Sequence, residues 1–285
     1  MSLPAGFATS DASATPHQLH LVTRDGFAAW RMTQPAETQA WLAVQRFDGS
    51  AGSVVSWANA QGGVGAAAIG IGDALDAYSY AHAPTALPGG DWRVVTALDA
   101  DARKALQLGW GLGSYRYDRY KAGTRATARL LADDFDGETF AVLAACVRVR
   151  DLVNTPTEHM GPDELEIAAR EIAAAHGASI AVIAGDDLLV QNFPAIHAVG
   201  RASHRAPRLI ELTWGDPAHP HIALCGKGVC FDTGGLDIKT ATGMRNMKKD
   251  MGGAAHALAL GRMIMAAGLP VRLVILTPVV ENAIS

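Results

Sequence analysis

The sequence feature that most constrains the fold of this chain is an abrupt change in residue type after a short apolar run. Residues 221–225 form this run, which is typical of a buried strand, and an alanine-rich helical pattern begins at Gly252. The stretch that joins them, residues 226–253, is rich in glycine and charge, so it breaks the strand and gathers ionisable side chains. These are Lys227, Asp232, Asp237, Lys239, Arg245, Lys248, Lys249 and Asp250. Open α/β sheets place ligand sites just past the carboxyl ends of strands, so the pattern predicts a functional site here.

Strands alternate with helices along the second half of the chain, which predicts a wound, largely parallel sheet flanked by helices. The predicted strands are 179–184, 208–214, 221–225 and 271–277, and the predicted helices are 138–150, 161–176, 185–191 and 252–267. Weaker signals in the first hundred residues indicate a smaller α/β region. They predict a strand, a turn and a second strand within 17–30, a short helix at 37–46, and a strand at 92–97.

The length of 285 residues and a hydrophobic content of 49% suffice for two ordinary domains, each with its own core. We predict a small N-terminal α/β domain over residues 1–122 and a second α/β domain over residues 151–285. The segment 123–150 begins with glycine, threonine and acidic residues and continues as a helical pattern. It is predicted to be a linker followed by a connecting helix.

Charge and cysteine content exclude several classes of protein. The net charge of -4 shows no basic excess, so nucleic acid is not an expected partner. No apolar run approaches the roughly 18 residues of a membrane helix, and the N-terminus lacks the pattern of a secretory signal. Cys146, Cys225 and Cys230 are an odd set without a Cys-x-x-Cys motif, which favours reduced thiols and a cytoplasmic location.

Two carboxylates in the glycine-rich stretch have the chemistry of metal ligands. Asp232 and Asp250 lie in loop or element-end positions, where their side chains can converge on a hard or borderline divalent cation. A carboxylate that bridges two ions makes a two-metal site, which clamps a substrate oxygen and acidifies water. A lysine beside two cations loses basicity and can serve as a neutral nitrogen ligand, whereas a second, charged lysine can stabilise an oxyanion.

The same residues also have ordinary structural interpretations. Asp232 precedes Thr-Gly-Gly and is typical of a turn, and Asp250 is typical of a helix N-terminus. Lys239 and Lys248 would ordinarily be solvated, and Met247 would ordinarily fill a core. A third interpretation, phosphate binding by Gly-Lys-Gly at residues 226–228, lacks the full P-loop frame. No Gly-x-Ser-x-Gly or His-x-x-x-His occurs, so serine-hydrolase and histidine-based zinc motifs have no support.

Several segments together resemble the leucyl aminopeptidase family of cytosolic metallopeptidases. They are Asn154-Thr155-Pro156, residues 226–239 (GKGVCFDTGGLDIK), residues 244–255 (MRNMKKDMGGAA) and residues 112–121 (LGSYRYDRYK). The resemblance covers residue 112 to residue 285, whereas residues 1–100 resemble the variable N-terminal domains of bacterial members. It implies that residues 151–285 are the N-terminal part of a catalytic peptidase domain with a mostly parallel central sheet.

The resemblance also implies a role for each matched residue. Lys227 would be a metal ligand through its neutral amine, Asp232 would bridge two metals, and Asp250 would join them at the tighter site. Lys239 would hold the scissile carbonyl oxygen, and Met247 would line the pocket for the N-terminal side chain. The implied cofactors are two divalent ions, Mn²⁺ or Zn²⁺, and the implied substrates are peptides with a leucine-type preference. Family members assemble as hexamers, which implies a homo-hexamer for the full-length protein.

One family motif, Asn-Thr-Asp-Ala-Glu-Gly-Arg, is absent from these 285 residues. In the family it supplies another Asp and a Glu to the metals, and the Arg that holds a bicarbonate general base. We therefore expect the chain to be an incomplete part of a longer enzyme, which binds metal weakly and is inactive by itself. The alternative hypothesis is a non-catalytic binding or regulatory protein with a relic metal site.

Overall fold

A computed structural model of the protein describes residues 3–73, 76–124 and 126–284, and the chain divides into two compact units. The first unit is residues 1–144 and the second is residues 145–285. Within the segment predicted to be a linker, Ala128–Leu131 form a strand of the first sheet. The predicted domain limits themselves stay a prediction. In the described part of the chain, no helix is both long and apolar enough to cross a membrane.

The first unit is built on a six-stranded sheet with the order β1-β6-β5-β2-β4-β3. Its strands are β1 (Phe7–Ala8), β2 (His17–Val22), β3 (Val54–Ala58), β4 (Val64–Gly70), β5 (Gly90–Val94) and β6 (Ala128–Leu131). Its helices are α1 (Phe27–Met32), α2 (Ala36–Val44), α3 (Ala83–Ala86) and α4 (Ala100–Ser114), with 3₁₀ turns at Ser10–Ala12 and Ala77–Tyr80. Only the β3–β4 pairing is antiparallel among the pairings of the described strands, so this sheet is mostly parallel.

The second strand predicted within residues 17–30 is wrong, because α1 begins at Phe27. Phe27 and Trp30 are three residues apart, which places both rings on one face of a helix. The two rings pack on Phe47, with ring centroids 5.8 Å and 6.2 Å from it. This aromatic contact with a residue distant in sequence favours the helix over a second strand.

The second unit contains a five-stranded sheet covered by helices. Its strands are β7 (Ser179–Ala184), β8 (Arg208–Trp214), β9 (His221–Cys225), β10 (Gly228–Asp232) and β11 (Arg272–Asn282). Its helices are α5 (Gly137–Asn154, which begins before the unit boundary), α6 (Pro162–His176), α7 (Asp187–Val190), α8 (Pro194–Gly200), α9 (Ala241–Met244) and α10 (Gly252–Ala266), with 3₁₀ turns at Thr157–His159 and Met247–Met251. The prediction of an α/β fold is confirmed, and six of the nine strand pairings in the described part of the chain are parallel.

The long strand β11 organises the second sheet. Its first half pairs in parallel with β9 and its second half pairs in parallel with β10, so β9 and β10 lie along the same edge of β11. On its other edge β11 pairs antiparallel with β8, which in turn pairs antiparallel with β7. The second sheet is therefore mixed, and the parallel character of the fold is strongest in the first sheet.

Helix α6 shows how local sequence signals agree with this packing. Pro162 occupies its first turn, and the Glu164 carboxylate accepts a hydrogen bond of 2.8 Å from the Gly161 amide. Gly177 ends the helix in a left-handed conformation with φ of 66°. The apolar face of α6, including Leu165 and Ile172, is buried in one core with α10 and the central strands. This core holds β11 and α10 in place around the break between β9 and β10.

Candidate metal centre

The strand break places Lys227 beside the start of α10. The Gly226 amide still donates to the Leu276 carbonyl of β11 at 2.9 Å, and the Lys227 carbonyl then accepts from the Ala254 amide at 2.8 Å. This approach requires glycine on both sides. A Cβ added at Gly226 would lie 2.6 Å from the Gly253 carbonyl oxygen, and one added at Gly253 would lie 2.8 Å from the Lys227 amide nitrogen. The glycines predicted to break the strand therefore also let the helix start contact it.

Lys227 forms an ion pair with Asp250. Its Nζ lies 3.0 Å from Oδ1 and 2.8 Å from Oδ2 of the carboxylate. Asp250 belongs to the 3₁₀ turn Met247–Met251, which packs against β10, and its side chain is 15% exposed against 60% for Lys227. Two ligand atoms that bind one ion at about 2.1 Å each lie roughly 3 Å apart, so the two groups are close enough to share an ion.

The Asp250 carboxylate is largely buried and has the Lys227 amine beside both of its oxygens. Its Oδ2 is buried, and among the described residues it accepts no hydrogen bond of acceptable geometry. The Lys227 ammonium satisfies the distance of an ion pair to Oδ2 but not the direction of a hydrogen bond. Carboxylate oxygens and an amine nitrogen also suit Mn²⁺ or Zn²⁺, so the residues present fit a divalent ion.

Asp232, the last residue of β10, is held by donors on one oxygen. Its Oδ1 accepts hydrogen bonds from the Gly234 amide at 3.0 Å and from Asn282 Nδ2 at 2.7 Å. Its Oδ2 lies 3.1 Å from Lys239 Nζ. Partial burial opposes ionisation, but the hydrogen bonds from Gly234, Lys239 and Asn282, with the charge of Lys239, lower the pKa of the Asp232 carboxyl below its usual value. Asp232 is therefore an anion at neutral pH.

A tight turn returns Lys239 to Asp232. Gly234 and Gly235 have φ values of 90° and 65°, which favour glycine. The Lys239 amide then donates to the Thr233 carbonyl at 2.9 Å. Thr233 is anchored in turn, because its amide and hydroxyl both donate to the Asn282 carbonyl, at 3.0 Å and 2.8 Å. The structure thus pairs the four charged residues to which the family resemblance gives roles, Lys227 with Asp250 and Lys239 with Asp232.

The two ion pairs lie on adjacent elements, near the two ends of β10. Lys227 precedes the strand and Asp232 ends it, and a register shift between Val229 and Phe231 marks a bulge between them. Within the described residues, no cluster of three or more His, Cys, Asp or Glu side chains could hold a metal ion. A site shared by Lys227, Asp232 and Asp250 is therefore a proposal. The structure shows two separate ion pairs, Lys227 with Asp250 and Lys239 with Asp232.

The remaining residues of the predicted site differ in their exposure to solvent. Met247 is half-buried in the first position of the 3₁₀ turn, and Asp237 is exposed. Lys248, expected to be solvated, is half-buried and donates to the Asn154 carbonyl at 2.6 Å. That bond ties the Asn154-Thr155-Pro156 segment to the turn that carries Asp250, a long-range contact that charge alone did not indicate.

Asn282, which contacts Asp232 with its side chain and Thr233 with its carbonyl, was not among the predicted site residues. No motif marks it. The predicted strand ended at residue 277, whereas β11 continues to Asn282, and β10, which ends at Asp232, lies in the stretch predicted to break the strand. Only the parallel register, in which Asp232 lies opposite Asn282, identifies the contact.

A cavity of about 490 Å³ is lined by residues of the first unit. It opens at the carboxyl ends of β5 and β6 beneath the first turns of α4. Leu106 and Leu130 form apolar walls, and Arg93, Arg103 and Asp134 contribute charge. It is a separate feature of the N-terminal unit.

Comparison with known proteins gives matches to both units. Residues 17–133 match the M17 aminopeptidase N-terminal domain, and residues 147–285 match the catalytic domain of the cytosol aminopeptidase family. A probable cytosol aminopeptidase of Corynebacterium efficiens is 36% identical over 202 residues, which are 66% of this chain and 40% of that protein. One from Leifsonia xyli is 35% identical over 263 residues, 85% of this chain and 53% of that protein.

Solved structures give the same result. The cytosol aminopeptidase of Coxiella burnetii has a TM-score of 0.89 at 40% identity, covering 98% of this chain and 61% of that one. The bottromycin maturation enzyme BotP in complex with Mn has a TM-score of 0.77 at 28% identity, covering 96% of this chain and 61% of that one. The chain thus spans about half the length of the curated relatives it matches.

Proposed function

This chain belongs to the cytosol aminopeptidase family, and from that premise we propose that its strand break supplies part of a metal-dependent aminopeptidase centre. The reaction proposed is release of N-terminal amino acids, with a leucine-type preference, from peptides. The observation that carries the proposal is the pairing of Lys227 with Asp250, whose side chain is only 15% exposed. The names of the relatives support the reaction class.

Lys227, Asp232 and Asp250 are the residues that would hold the two divalent ions. Divalent ions supply Lewis acidity, which polarises a peptide carbonyl and favours deprotonation of water. The ionised state of Asp232 at neutral pH supports its role, because a carboxylate must be deprotonated to bind a cation. Manganese is supported by the Mn complex among the structural neighbours, and zinc suits the same donor set.

Lys239 is proposed to stabilise the negative charge that develops on the substrate carbonyl oxygen. Its ion pair with Asp232 at 3.1 Å places the amine beside a candidate metal ligand. A fixed cation in a partly water-excluded site stabilises an oxyanion more than bulk water does. Met247, half-buried in the turn that carries Asp250, is proposed to contact the N-terminal side chain of the peptide.

The full-length protein is proposed to be a cytoplasmic homo-hexamer, by resemblance to its family. The 285-residue chain alone is proposed to bind metal weakly and to have little activity. Its candidate set of two carboxylates and one amine offers fewer donors than two divalent ions take.

A matched pair of variants tests the metal centre. Asp250→Asn removes the charge of a candidate ligand, whereas Asp237→Asn removes the same charge from an exposed residue nearby. We expect Asp250→Asn to weaken Mn²⁺ binding at least tenfold by isothermal titration calorimetry, with Asp237→Asn unchanged. Equal affinities in both variants would contradict the proposed ligand set. Hydrolysis of leucine p-nitroanilide with Mn²⁺ tests activity, and robust turnover by this chain would contradict its proposed inactivity.

The cavity of the N-terminal unit favours a second candidate function, a binding or regulatory module for a small molecule. Its volume of about 490 Å³ is in the range of small-molecule sites, and it lies where open α/β sheets bind ligands. Ala97 lines it and is exposed, so Ala97→Trp would fill the cavity without disturbing the core. If thermal-shift screening of nucleotides and amino acids finds a stabilising compound, the shift should disappear in Ala97→Trp.

A further inference from the structure

The strand pairing identifies one residue that acts on Asp232 from outside the proposed ligand set. β10 and β11 run in parallel, and Asp232 lies opposite Asn282 in their register. Asn282 Nδ2 donates to Asp232 Oδ1 at 2.7 Å, the shorter of the two hydrogen bonds that this oxygen accepts. We propose that Asn282 is a positioning residue, which fixes the Asp232 carboxylate so that Oδ2 is the oxygen presented to a divalent ion. This inference rests on the metal centre proposed above.

The asymmetry of the carboxylate carries the argument. A carboxylate oxygen has two lone pairs, and both lone pairs of Oδ1 are engaged, one by Asn282 and one by the Gly234 amide. Oδ2 instead lies 3.1 Å from Lys239 Nζ. With Oδ1 held by two neutral donors, rotation of the carboxylate about its Cβ–Cγ bond would break both bonds. Oδ2 therefore stays on the side of Lys239.

The backbone of Asn282 completes the arrangement. Its carbonyl accepts from both the amide and the hydroxyl of Thr233, so the residue after Asp232 is also tied to β11. A side-chain substitution at Asn282 removes the donor to Asp232 and leaves these backbone contacts in place. The role of the side chain can thus be separated from the role of the strand.

The test measures Mn²⁺ affinity in three variants of this chain, with MnCl₂ as the titrant in isothermal calorimetry. Asn282→Ala deletes the donor, and Asn282→Leu deletes it at nearly constant volume and charge. Glu281→Gln is the control, because Glu281 lies next in the same strand but accepts from Ser203 Oγ at 2.7 Å instead of contacting Asp232. Thermal unfolding of the metal-free proteins separates positioning from folding.

We expect both Asn282 variants to weaken Mn²⁺ binding about 10- to 100-fold, as for other groups that orient metal ligands. The control should stay within twofold, and the unfolding midpoints of Asn282→Leu and Glu281→Gln should agree within a few degrees. A loss below threefold in Asn282→Leu would overturn the inference, since the Gly234 amide would then suffice. Equal losses in all three variants would also overturn it, in favour of a general effect of the strand. Absence of Mn²⁺ binding by the unmodified chain would instead refute the proposed metal centre, and this role with it.

Discussion

The contact between the strand break and α10 can be tested with two adjacent glycines of the helix. A Cβ at Gly253 would lie 2.8 Å from the Lys227 amide nitrogen and 3.2 Å from its carbonyl oxygen. A Cβ at Gly252, one residue earlier, would meet only Val153 Cγ2, at 3.8 Å, which is an ordinary contact. Gly253→Ala and Gly252→Ala therefore make the same chemical change in the same helix, with and without a clash.

The expected magnitude follows from two opposing terms. Replacing a helical glycine with alanine stabilises a helix by up to about 1 kcal/mol, and both variants gain it. The clash in Gly253→Ala involves backbone atoms that cannot rotate away, because Lys227 is held by its hydrogen bond from Ala254. Overpacking of this kind costs about 1–3 kcal/mol. Since the helix term is shared, the free energies of unfolding of the two variants should differ by about 1–3 kcal/mol.

Urea unfolding followed by circular dichroism measures this difference directly. Gly252→Ala should be as stable as the unmodified chain or slightly more stable, and Gly253→Ala should be the less stable of the two. Because the clash displaces Lys227 from Asp250, Gly253→Ala should also weaken Mn²⁺ binding, whereas Gly252→Ala should not. If Gly253→Ala gained as much stability as Gly252→Ala, the close approach of α10 to the strand break would be refuted.

Two further predictions concern ionisable groups. Because the folded-state pKa of Asp232 lies below its usual value of 3.8, its contribution to stability is present above that value and is lost as pH falls through the folded pKa. The difference in free energy of unfolding between the unmodified chain and Asp232→Asn should therefore shrink as pH falls from 6 to 2, and a constant difference would contradict the lowered pKa. Burial raises the pKa of the Cys230 thiol to about 12, whereas Cys225 is exposed, so iodoacetamide at pH 8 should alkylate Cys225 first. Mass spectrometry of the labelled peptides checks the order, and faster labelling of Cys230 would contradict it.

Local sequence patterns were sufficient for β9, the interruption after it and α10, but not for β10, which lies within the stretch predicted as a break. The apolar run ending at Cys225, the Gly-Lys-Gly break and the alanine-rich pattern from Gly252 predicted the strand, the interruption and the helix, which the structure has at β9, the break and α10. These signals are local, because glycine conformational freedom and hydrophobic periodicity act over a few residues. The roles of Lys227, Asp232, Asp250 and Lys239 in metal and substrate binding remain predictions.

Pairing between distant segments was decided by the tertiary structure alone. Asn282 lies fifty residues from Asp232 and contacts it only because β10 and β11 pair in one register. The bond from Lys248 to the Asn154 carbonyl and the helical state of α1 depend in the same way on distant partners. The sequence of residues 226–253 thus determined by itself where the chain breaks its strand and where the charged side chains lie. The orientation of the Asp232 carboxylate, with one oxygen toward Asn282 and the other toward Lys239, was decided by the fold. Strand register and packing arise from contacts that no local pattern contains.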